Sequence, residues 1–594
     1  MKSFFSKTAC CAAIGLSMFL SGFTTANAAS PWTRTSTEQM PGQYLASPSA
    51  VRNPASLNGM VSSPHYLGTQ AGIEVLRNGG NAVDAAIAIG ATLGVVYPHM
   101  TGIGGDNFWI IYNAKTGEVR ALNASGRAGS KATIDYFKSM GATKSIPWHG
   151  YLACNTVPGT ISGWEAAYKY AKESFNNKGL KWKDLFTTAI SYAENGFPVG
   201  SSLELWLYNS TNPNDKEPYN LQRFSGFRET YLKPDGRPYV FGEIMRLPDL
   251  AETLKLVAKK GADAFYKGPI AKKISEELLA NGGVLTEDDF KNHKANWVTP
   301  LSVQYRDGIV YNLPPNTQGM ASLAILNILN NFDVASLGDN TADYFHLLAE
   351  ATKEAFIDRD TYLTDPEFSP IPTDRLLSKE HGMRQAARIN MKKASKNLAP
   401  LDPKGDTTYF CVVDKDGNAV SIIQSIYFDF GSGIVPKGTG VLLQNRGCFF
   451  SLDPKHVNHI EPGKRTFHTL NAAMMLKNGK PYLVYGTQGG EGQPQTHAAM
   501  VTRIVDFGLM PQDAIAGPRY LYGRMVGTAN NDLKLEGRVP QEVLNELKRR
   551  GHTVVKVEDF TELMGQAGCI LIDQRTNIKY GGTDLRGDGL ATGY

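Results

Sequence analysis

The chain has 594 residues, of which 42% are hydrophobic, 20% charged and 10% aromatic. This balance is typical of a globular protein and excludes a disordered or collagen-like chain. The formal net charge of +5 is small for this length, so it does not favour a dedicated nucleic-acid-binding protein, in which basic residues concentrate on one face.

The first 28 residues are predicted to be a secretory signal peptide. Lys2 and Lys7 give a positive start, an apolar run extends from about Ala12 to Leu20, and Ala26-Asn27-Ala28 places small residues where a signal peptidase cuts. The apolar run is too short to span a hydrocarbon core of ~30 Å, and no later stretch reaches ~18 uninterrupted apolar residues. We therefore expect export to the periplasm or the medium, removal of residues 1–28 and no membrane span.

Four cysteines remain after this removal: Cys154, Cys411, Cys448 and Cys569. They are far apart and form no C-x-x-C pair, so neither a zinc site nor a disulfide framework is favoured. Four small buried thiols are the preferred interpretation, and one disulfide stays open as the alternative.

Helical patterns dominate the first two-thirds of the sequence. Residues 66–78 are predicted to form a helix that Gly79-Gly80 ends, and Asn81 is placed to cap a second helix rich in small residues. The glycine-rich turn 102–106 then leads into a strand at 108–112. A phosphate-binding loop would precede a helix instead, so that function is not favoured. Further signals predict a helix from Pro248 to Gly261, a helix start at 286–289, a hairpin at 305–309 and a helix over 341–358.

The character of the sequence changes after a Lys-, Asn-, Pro- and Asp-rich stretch from about Ala386 to Gly405. Beyond it, strand-like runs alternate with tight turns at Asp416-Gly417 and Asn478-Gly479, with helices at 495–507 and 540–550. Together these elements predict an α+β protein in which helical layers cover sheets.

Asp406-Thr407-Thr408 stands where the exposed stretch becomes a strand. If the chain were cut before Thr407, the new α-amine would have a pKa of ~7.7–8.0 and could accept the proton of the threonine hydroxyl. Nucleophile and base would then belong to one residue. The pattern alone does not establish a cut, because Asp-Thr-Thr occurs in many turns.

A second candidate is Gly486-Thr-Gln-Gly-Gly-Glu-Gly-Gln-Pro-Gln495, which follows a strand and precedes a helix. Such a turn can present backbone N–H groups to an oxyanion, and its glycines keep side chains away. Taken alone, the segment is better interpreted as a plain tight turn.

A set of motifs runs colinearly over about residues 60–590 and comprises Asn78 to Ala86, His99 to Gly105, Val157-Pro-Gly159 with Gly163, Tyr311 to Pro315 with Gly319, Asp406-Thr-Thr408, Val413 to Asn418, Phe430 to Val435, Pro462 to Arg465 and Gly486 to Gly490. The order of these motifs resembles the γ-glutamyltransferase family of N-terminal-nucleophile hydrolases.

This resemblance implies an αββα sandwich and a proenzyme that cuts itself before Thr407. The large chain, 29–406, and the small chain, 407–594, would remain together as a heterodimer. By the same resemblance Thr407 is the nucleophile, Gly489 and Gly490 form the oxyanion hole, and Thr408 and Ser425 tune the hydroxyl. The implied reaction is acyl transfer through an acyl-threonine intermediate, which needs no metal or organic cofactor.

Several positions depart from the pattern of true γ-glutamyl enzymes. Tyr427 replaces an asparagine, the acidic residue that holds the substrate amine falls near Cys448, and a serine pair that holds the carboxylate becomes His468-Thr469. The family's arginine is displaced to Arg127. A buried ammonium without an acidic partner costs several kcal/mol, so the resemblance implies a donor without the glutamate amine.

These departures are similar to those of cephalosporin acylase-like and oxamate amidohydrolase-like proteins. Arg127 and Arg446 remain available for a carboxylate, which guanidinium binds in a bidentate manner, although structural ion pairs are the alternative. Asn445, beside Arg446, is a further substrate-binding candidate, and His468 is either a ligand contact or a structural histidine. The segment from Ser451 to Glu461, where the family carries a lid, is short and predicts an open cleft.

The sequence leaves three hypotheses for the function of the protein. The preferred hypothesis is an exported, self-cleaving threonine amidohydrolase or acyltransferase acting on a small carboxylate-bearing amide. The second is a true γ-glutamyltransferase or glutathione hydrolase that recognises glutamate through different residues. The third is an uncleaved binding protein on the same scaffold.

Overall fold

The computed structural model describes residues 53–211, 220–396, 407–523 and 531–594. The predicted signal peptide and Asp406 lie outside these residues. Within the described ranges, no helix is both long enough and apolar enough to cross a bilayer.

Two seven-stranded antiparallel sheets form the centre of the structure, and their strands are numbered here in chain order. Sheet 1 comprises, in spatial order, β19 (Leu590–Gly593), β2 (Met60–Ser63), β10 (Thr408–Val413), β11 (Ala419–Ser425), β3 (Asp106–Asn113), β4 (Glu118–Ala124) and β7 (Asn296–Val298). Sheet 2 comprises β1 (Ala55–Ser56), β18 (Lys579–Thr583), β17 (Ala567–Ile572), β13 (Lys480–Thr487), β12 (Ala472–Lys477), β9 (Gly308–Asn312) and β8 (Leu301–Tyr305). Two smaller units are β14 (Tyr520–Tyr522), β15 (Leu533–Glu536) and β16 (Val554–Val557), and the ribbon β5 (Phe197–Pro198) with β6 (Ile244–Met245).

Helices cover the outer faces of both sheets. The described α-helices are Tyr66–Arg77, Ala82–Val96, Ile134–Ser139, Thr160–Ser174, Thr187–Asn195, Ser201–Thr211, Ser225–Tyr231, Pro248–Lys260, Asp263–Tyr266, Pro269–Ala280, Glu287–Asn292, Gly319–Leu329, Val334–Leu337, Ala342–Tyr362, Thr373–Leu376, Lys379–Ala386, Gln493–Val505, Pro511–Ala516 and Gln541–Arg549. Short 3₁₀ helices lie at Trp182–Phe186, Leu221–Arg223, Arg446–Phe449, Gly490–Gly492 and Glu562–Met564.

Alternation along the strands separates three apolar layers. In β10, Phe410 and Val412 point to the helices outside sheet 1, whereas Tyr409 and Cys411 point between the two sheets. Met475 of sheet 2 packs in turn against the helices on the opposite outer face. Both faces of each sheet are therefore buried, and the predicted αββα sandwich is confirmed.

Local sequence signals are confirmed at several element ends. The Asn81 side chain accepts hydrogen bonds from the backbone of Val83 and Asp84, both at 3.0 Å, while the Asp84 carboxylate accepts from the Asn81 N–H. This capping box begins the helix Ala82–Val96, as expected. The predicted helix over 341–358 is observed as Ala342–Tyr362.

The four cysteines of the described residues form no disulfide. Cys154, Cys411 and Cys569 are buried, and burial raises the pKa of the Cys154 and Cys411 thiols to about 12. Cys448 is only partly buried. Cys154, Cys411 and Cys569 thus fit the expected small buried thiols, whereas Cys448 departs from that expectation in its exposure.

Both central sheets contain strands from before and from after the predicted cut. β2, from the predicted large chain, lies between β19 and β10, both from the predicted small chain. Ser62 of β2 pairs with Ala591 on one side and Cys411 on the other. The sequence analysis assigned no strand to β2, because its residues are buried on both faces and lack an alternating pattern.

The packing of the sheets brings the start of β10 to the end of β13. A Cβ atom built on Gly486 would lie 2.2 Å from the Tyr409 ring, so glycine leaves the space that this ring fills. The Tyr409 hydroxyl also lies 2.9 Å from Ser421 Oγ on the neighbouring strand. Thr407 lies two residues before Tyr409, and Gly489 lies three residues after Gly486. Both candidate segments therefore lie at the same end of the sandwich, beyond the ends of central strands.

We predict that Gly486→Ala destabilises the fold, because the added methyl must displace the buried Tyr409 ring. Overpacking of this kind costs ~1–3 kcal/mol, and we expect a lower Tm and less soluble protein. Gly94→Ala is the matched control, since its Cβ would meet atoms no closer than 3.4 Å in a helix that favours alanine. Equal melting of Gly486→Ala and wild type would contradict the proposed contact.

Candidate active site

Thr407 lies immediately before β10, and its side chain is fully buried. Its hydroxyl donates a long hydrogen bond of 3.4 Å to Ser425 Oγ at the end of β11. Ser425 Oγ also accepts the Tyr427 N–H at 2.7 Å. Thr408 donates its hydroxyl to the Gln424 carbonyl at 2.8 Å. The structure thus brings Thr407, Thr408 and Ser425 together at the ends of two paired strands.

Gly489 and Gly490 form the turn between β13 and the helix Gln493–Val505. Their φ angles are 115° and 51°, in the region that glycine occupies without strain. In the described part of the chain, neither N–H donates to another protein group. Two main-chain donors therefore remain available at the beginning of a helical segment, where an anion is favoured.

A buried polar network holds this turn. Gln318 Nε2 donates to the carbonyls of Gly490 and Thr469, both at 2.8 Å. Its Oε1 accepts from Arg359 at 3.0 Å, and Arg359 also pairs with Glu491 at 2.8 Å. Sequence analysis missed Gln318 and Arg359. Gln318 lies just before Gly319 in a recognised motif, whereas Arg359 lies inside a helix with no local signal.

Arg446 is a buried cation with open hydrogen-bonding capacity. Its Nη2 donates to Thr469 Oγ1 at 3.3 Å, and its guanidinium carbon lies 3.8 Å from the centroid of the Tyr427 ring. Among the described residues, Nε and Nη1 have no hydrogen-bond partner. Burial lowers the pKa of Arg446 to about 10, so the group stays charged at neutral pH. Such a group is a candidate anion site.

Other buried arginines provide an internal comparison. Arg359, Arg503, Arg519 and Arg586 each form an ion pair with a carboxylate. In the same described ranges, Arg446 makes no such pair within 4.0 Å. Because a buried charge is costly without a partner, this exception favours an anionic ligand.

Asn445 and Tyr427 shape the surroundings of Arg446. Asn445 donates its amide to the Trp148 carbonyl at 2.8 Å and accepts the Phe428 N–H at 3.1 Å. Tyr427 has a φ of 83°, which is uncommon outside glycine. Asn445 therefore organises the backbone of the bend from which the Tyr427 ring reaches Arg446, and direct substrate contact by Asn445 stays a prediction.

His468 and Asp106 form a buried pair beside this site. His468 Nε2 lies 3.2 Å from Asp106 Oδ2, and Nδ1 accepts the Leu470 N–H at 3.4 Å. Burial holds the pKa of His468 well below its usual value, so the ring is neutral and Nε2 carries the donated hydrogen. Both ring nitrogens are engaged by the protein, and substrate contact by His468 stays a prediction.

Arg127 lies among carboxylates. Its guanidinium pairs with Glu367 at 2.7 Å and Asp365 at 3.5 Å, and it donates to the Gly463 carbonyl at 3.0 Å. The side chain is 31% exposed. These contacts match the ion-pair alternative stated for Arg127 and distinguish it from Arg446.

Three buried groups that sequence analysis did not single out also come together. His346, Glu350 and His552 bring ligand-type atoms within 4.8 Å of one another. However, the two imidazoles hydrogen-bond each other at 2.8 Å, His346 binds the Asn390 carbonyl, and Glu350 accepts the Ser395 N–H. The hydrogen bonds of this cluster therefore hold Asn390 and Ser395, which belong to the segment that leads toward the predicted cleavage point.

Comparisons with known proteins agree with this geometry. The family described as Gamma-glutamyltranspeptidase matches residues 68–594. The chain is similar to the Glutathione hydrolase-like YwrD proenzyme of Bacillus subtilis (strain 168), at 45% identity over 90% of this chain and 98% of that protein. It is also similar to the Oxamate amidohydrolase proenzyme of Klebsiella pneumoniae, at 41% identity over 91% and 99%.

A solved structure shows the same architecture. The crystal structure of cephalosporin acylase from Bacillus halodurans has a TM-score of 0.83 and 35% sequence identity, covering 94% of this chain and 98% of that chain. The resemblance noted in the motifs is thereby confirmed. The chain belongs to the gamma-glutamyltranspeptidase family of N-terminal-nucleophile hydrolases and acyltransferases.

Proposed function

We propose that this protein is an exported amidohydrolase or acyltransferase that matures by cutting itself between Asp406 and Thr407. Chains 29–406 and 407–594 would remain one heterodimer, and export would use residues 1–28. Its donors are amides whose acyl group carries a carboxylate but not the amine of glutamate. Arg446 carries this proposal, because it is buried and charged and because two of its nitrogen atoms have no hydrogen-bond partner in the described part of the chain.

The proposed reaction begins at Thr407. Its hydroxyl oxygen attacks the amide carbon while the hydroxyl proton passes to the free α-amine of the same residue. The N–H groups of Gly489 and Gly490 stabilise the oxyanion. The C–N bond then breaks, the leaving nitrogen takes the proton, and an acyl ester remains on Thr407. Water or a second amine then attacks the acyl carbon, the ester C–O bond to Thr407 breaks, and the proton of the attacking group returns to the Thr407 oxygen by way of the α-amine.

Electrostatics near Arg446 argue against a γ-glutamyl donor. The ammonium of glutamate requires an acidic partner, and the position predicted for it falls near the thiol Cys448. Asp106, the carboxylate that interacts electrostatically with Arg446, already accepts hydrogen bonds from Gly126, Gly159 and Gln444, besides its contact with His468. A deaminated acyl group therefore fits this environment better than a glutamyl group.

We expect Thr407→Ala to remain a single chain without amidase activity, because one hydroxyl serves both cleavage and catalysis. Thr407→Ser should retain part of both, since it keeps a hydroxyl and an α-amine. Intact mass spectrometry of the matured proteins measures cleavage, with wild type expected as chains 29–406 and 407–594. A Thr407→Ala protein that still splits at the same bond would rule out this nucleophile.

Three 4-nitroanilides test the acyl preference: γ-glutamyl, glutaryl, which lacks only the amine, and pentanoyl, which also lacks the carboxylate. We expect glutaryl to give the highest kcat/KM. Arg446→Met should lower that value by about a hundredfold, as expected for loss of ~1.5–3 kcal/mol in charged hydrogen bonds, and should hardly affect pentanoyl.

Arg237→Met is the control for that series, because Arg237 is largely exposed and pairs with Asp235 on the surface. Arg127→Met in the same series determines whether Arg127 shares the predicted carboxylate role. A strong preference for γ-glutamyl over glutaryl would instead establish the glutathione hydrolase alternative.

The pH dependence of anion binding provides a further test. Burial raises the pKa of Asp106 to about 7, whereas Arg446 nearby favours its ionised form. As pH falls through 7, Asp106 gains a proton and no longer offsets the positive charge of Arg446. We expect the inhibition constant of glutarate to fall from pH 8 to pH 6, while kcat falls because the α-amine, with a pKa of ~7.7–8.0, is protonated. Asp106→Asn should remove the change in inhibition constant, and an unchanged profile would contradict this assignment.

A further inference from the structure

A cavity of about 270 Å³ lies beside the candidate active site. Five aromatic residues contribute to its wall: Trp148, Tyr427, Phe449, Phe450 and Phe467. We refer to it as the aromatic cavity. We propose that it is the subsite for the leaving amine and that it selects amines bearing an aromatic or flat apolar group. This inference rests on the proposed function, because it assumes amide cleavage at Thr407.

The aromatic wall is organised by ring contacts. Phe449 stacks on Phe467, with ring centroids 4.7 Å apart and an interplanar angle of 17°. Tyr427 meets Phe449 edge to face, with centroids 5.3 Å apart. These rings are thus in place before a ligand arrives, and such surfaces favour flat apolar groups.

Size and access agree with this use. An engineered apolar cavity of ~150 Å³ is large enough to hold benzene, so about 270 Å³ accommodates one substituted ring. Trp148 and Phe449 are partly exposed, and the exposed residues Lys144 and His456 also line the cavity. A leaving group can therefore reach solvent from here.

The cavity wall is connected to the candidate catalytic groups. The Tyr427 N–H donates to Ser425 Oγ at 2.7 Å, and the same oxygen accepts the Thr407 hydroxyl. On the other side, Glu491 lines the cavity and directly follows Gly490. The cavity is thus adjacent to both the proposed nucleophile and the proposed oxyanion site.

The position of Arg446 assigns the cavity to the amine half of the amide. Arg446 does not line the cavity but lies against the Tyr427 ring, so an acyl carboxylate bound to it is directed to the interior. The amine must leave first, while the acyl group is still bonded to Thr407.

A comparison of two donors with the same acyl group tests this selectivity. Glutaryl benzylamide and glutaryl methylamide would be assayed by chromatographic detection of the released amine. We expect Phe449→Leu and Trp148→Ala to lower kcat/KM for the benzylamide about tenfold, in line with loss of apolar contact, and to change the methylamide little. For each donor, the kcat/KM of the variant is divided by that of the wild type, so that the difference in intrinsic reactivity between the two amides does not affect the comparison.

Phe241→Ala is the matched aromatic control, because Phe241 is 65% exposed and does not line the cavity. It should alter neither donor. Equal losses on both donors in Phe449→Leu and Trp148→Ala would overturn the assignment to the leaving amine.

Labelling of Cys448 gives a second measurement that requires no turnover. Cys448 lines the cavity and is partly exposed, whereas Cys154, Cys411 and Cys569 are buried. We expect benzylamine, but not methylamine, to slow alkylation of Cys448 by iodoacetamide in the mature protein, as measured by peptide mass spectrometry. Cys448→Ser identifies the labelled peptide.

The two measurements separate this inference from the proposed function. If benzylamine slows alkylation of Cys448 but no donor is cleaved, the cavity binds aromatic groups and the proposed amide cleavage is refuted. Cleavage of glutaryl amides without protection, and without selective loss in the two variants, would retain the activity and refute the subsite.

Discussion

The face-to-face packing of the two central sheets is the constraint on which the site depends. Tyr409 of β10 fills the space that Gly486 of β13 leaves empty, and this contact fixes how one sheet lies on the other. Thr407 lies two residues before Tyr409 and Gly489 lies three residues after Gly486, so the proposed nucleophile and the glycine turn lie at the same end of the sandwich. A small displacement between the sheets would separate them without disturbing either segment.

Buried charge has two different uses in this molecule. Arg359 and Arg586 are neutralised by carboxylates and stabilise neighbouring turns and strands. Arg446 is held against an aromatic face, and its Nε and Nη1 find no hydrogen-bond partner among the residues that the structure describes. Burial of a paired arginine consolidates the fold, whereas burial of Arg446 fits the proposed role in binding an anion, which would recover the free energy that burying the charge costs.

Sequence reasoning succeeded where the determining interactions are local. The Asn81 cap, the helix ends and the turn glycines depend on residues three or four positions apart, and these were predictable. The motifs also identified Thr407 and the Gly489-Gly490 turn as candidates through resemblance. Contacts between distant segments were not predictable. Gln318 and Arg359 hydrogen-bond to the glycine turn from other elements of the chain. The central strand β2 was also missed, because its fully buried residues show no alternating pattern.

Each central sheet contains strands from both predicted cleavage products, and this has a consequence for the lifetime of the proposed mature enzyme. With β2 inserted between β19 and β10, the two products of cleavage share sheets rather than an interface between finished domains. Neither product carries a complete sheet, so each relies on the other for its core. After unfolding, two separate polypeptides would have to meet before the sheets could reform, whereas the precursor folds as one chain. The mature protein would therefore depend on slow unfolding rather than on reversible refolding, and its durability would be kinetic.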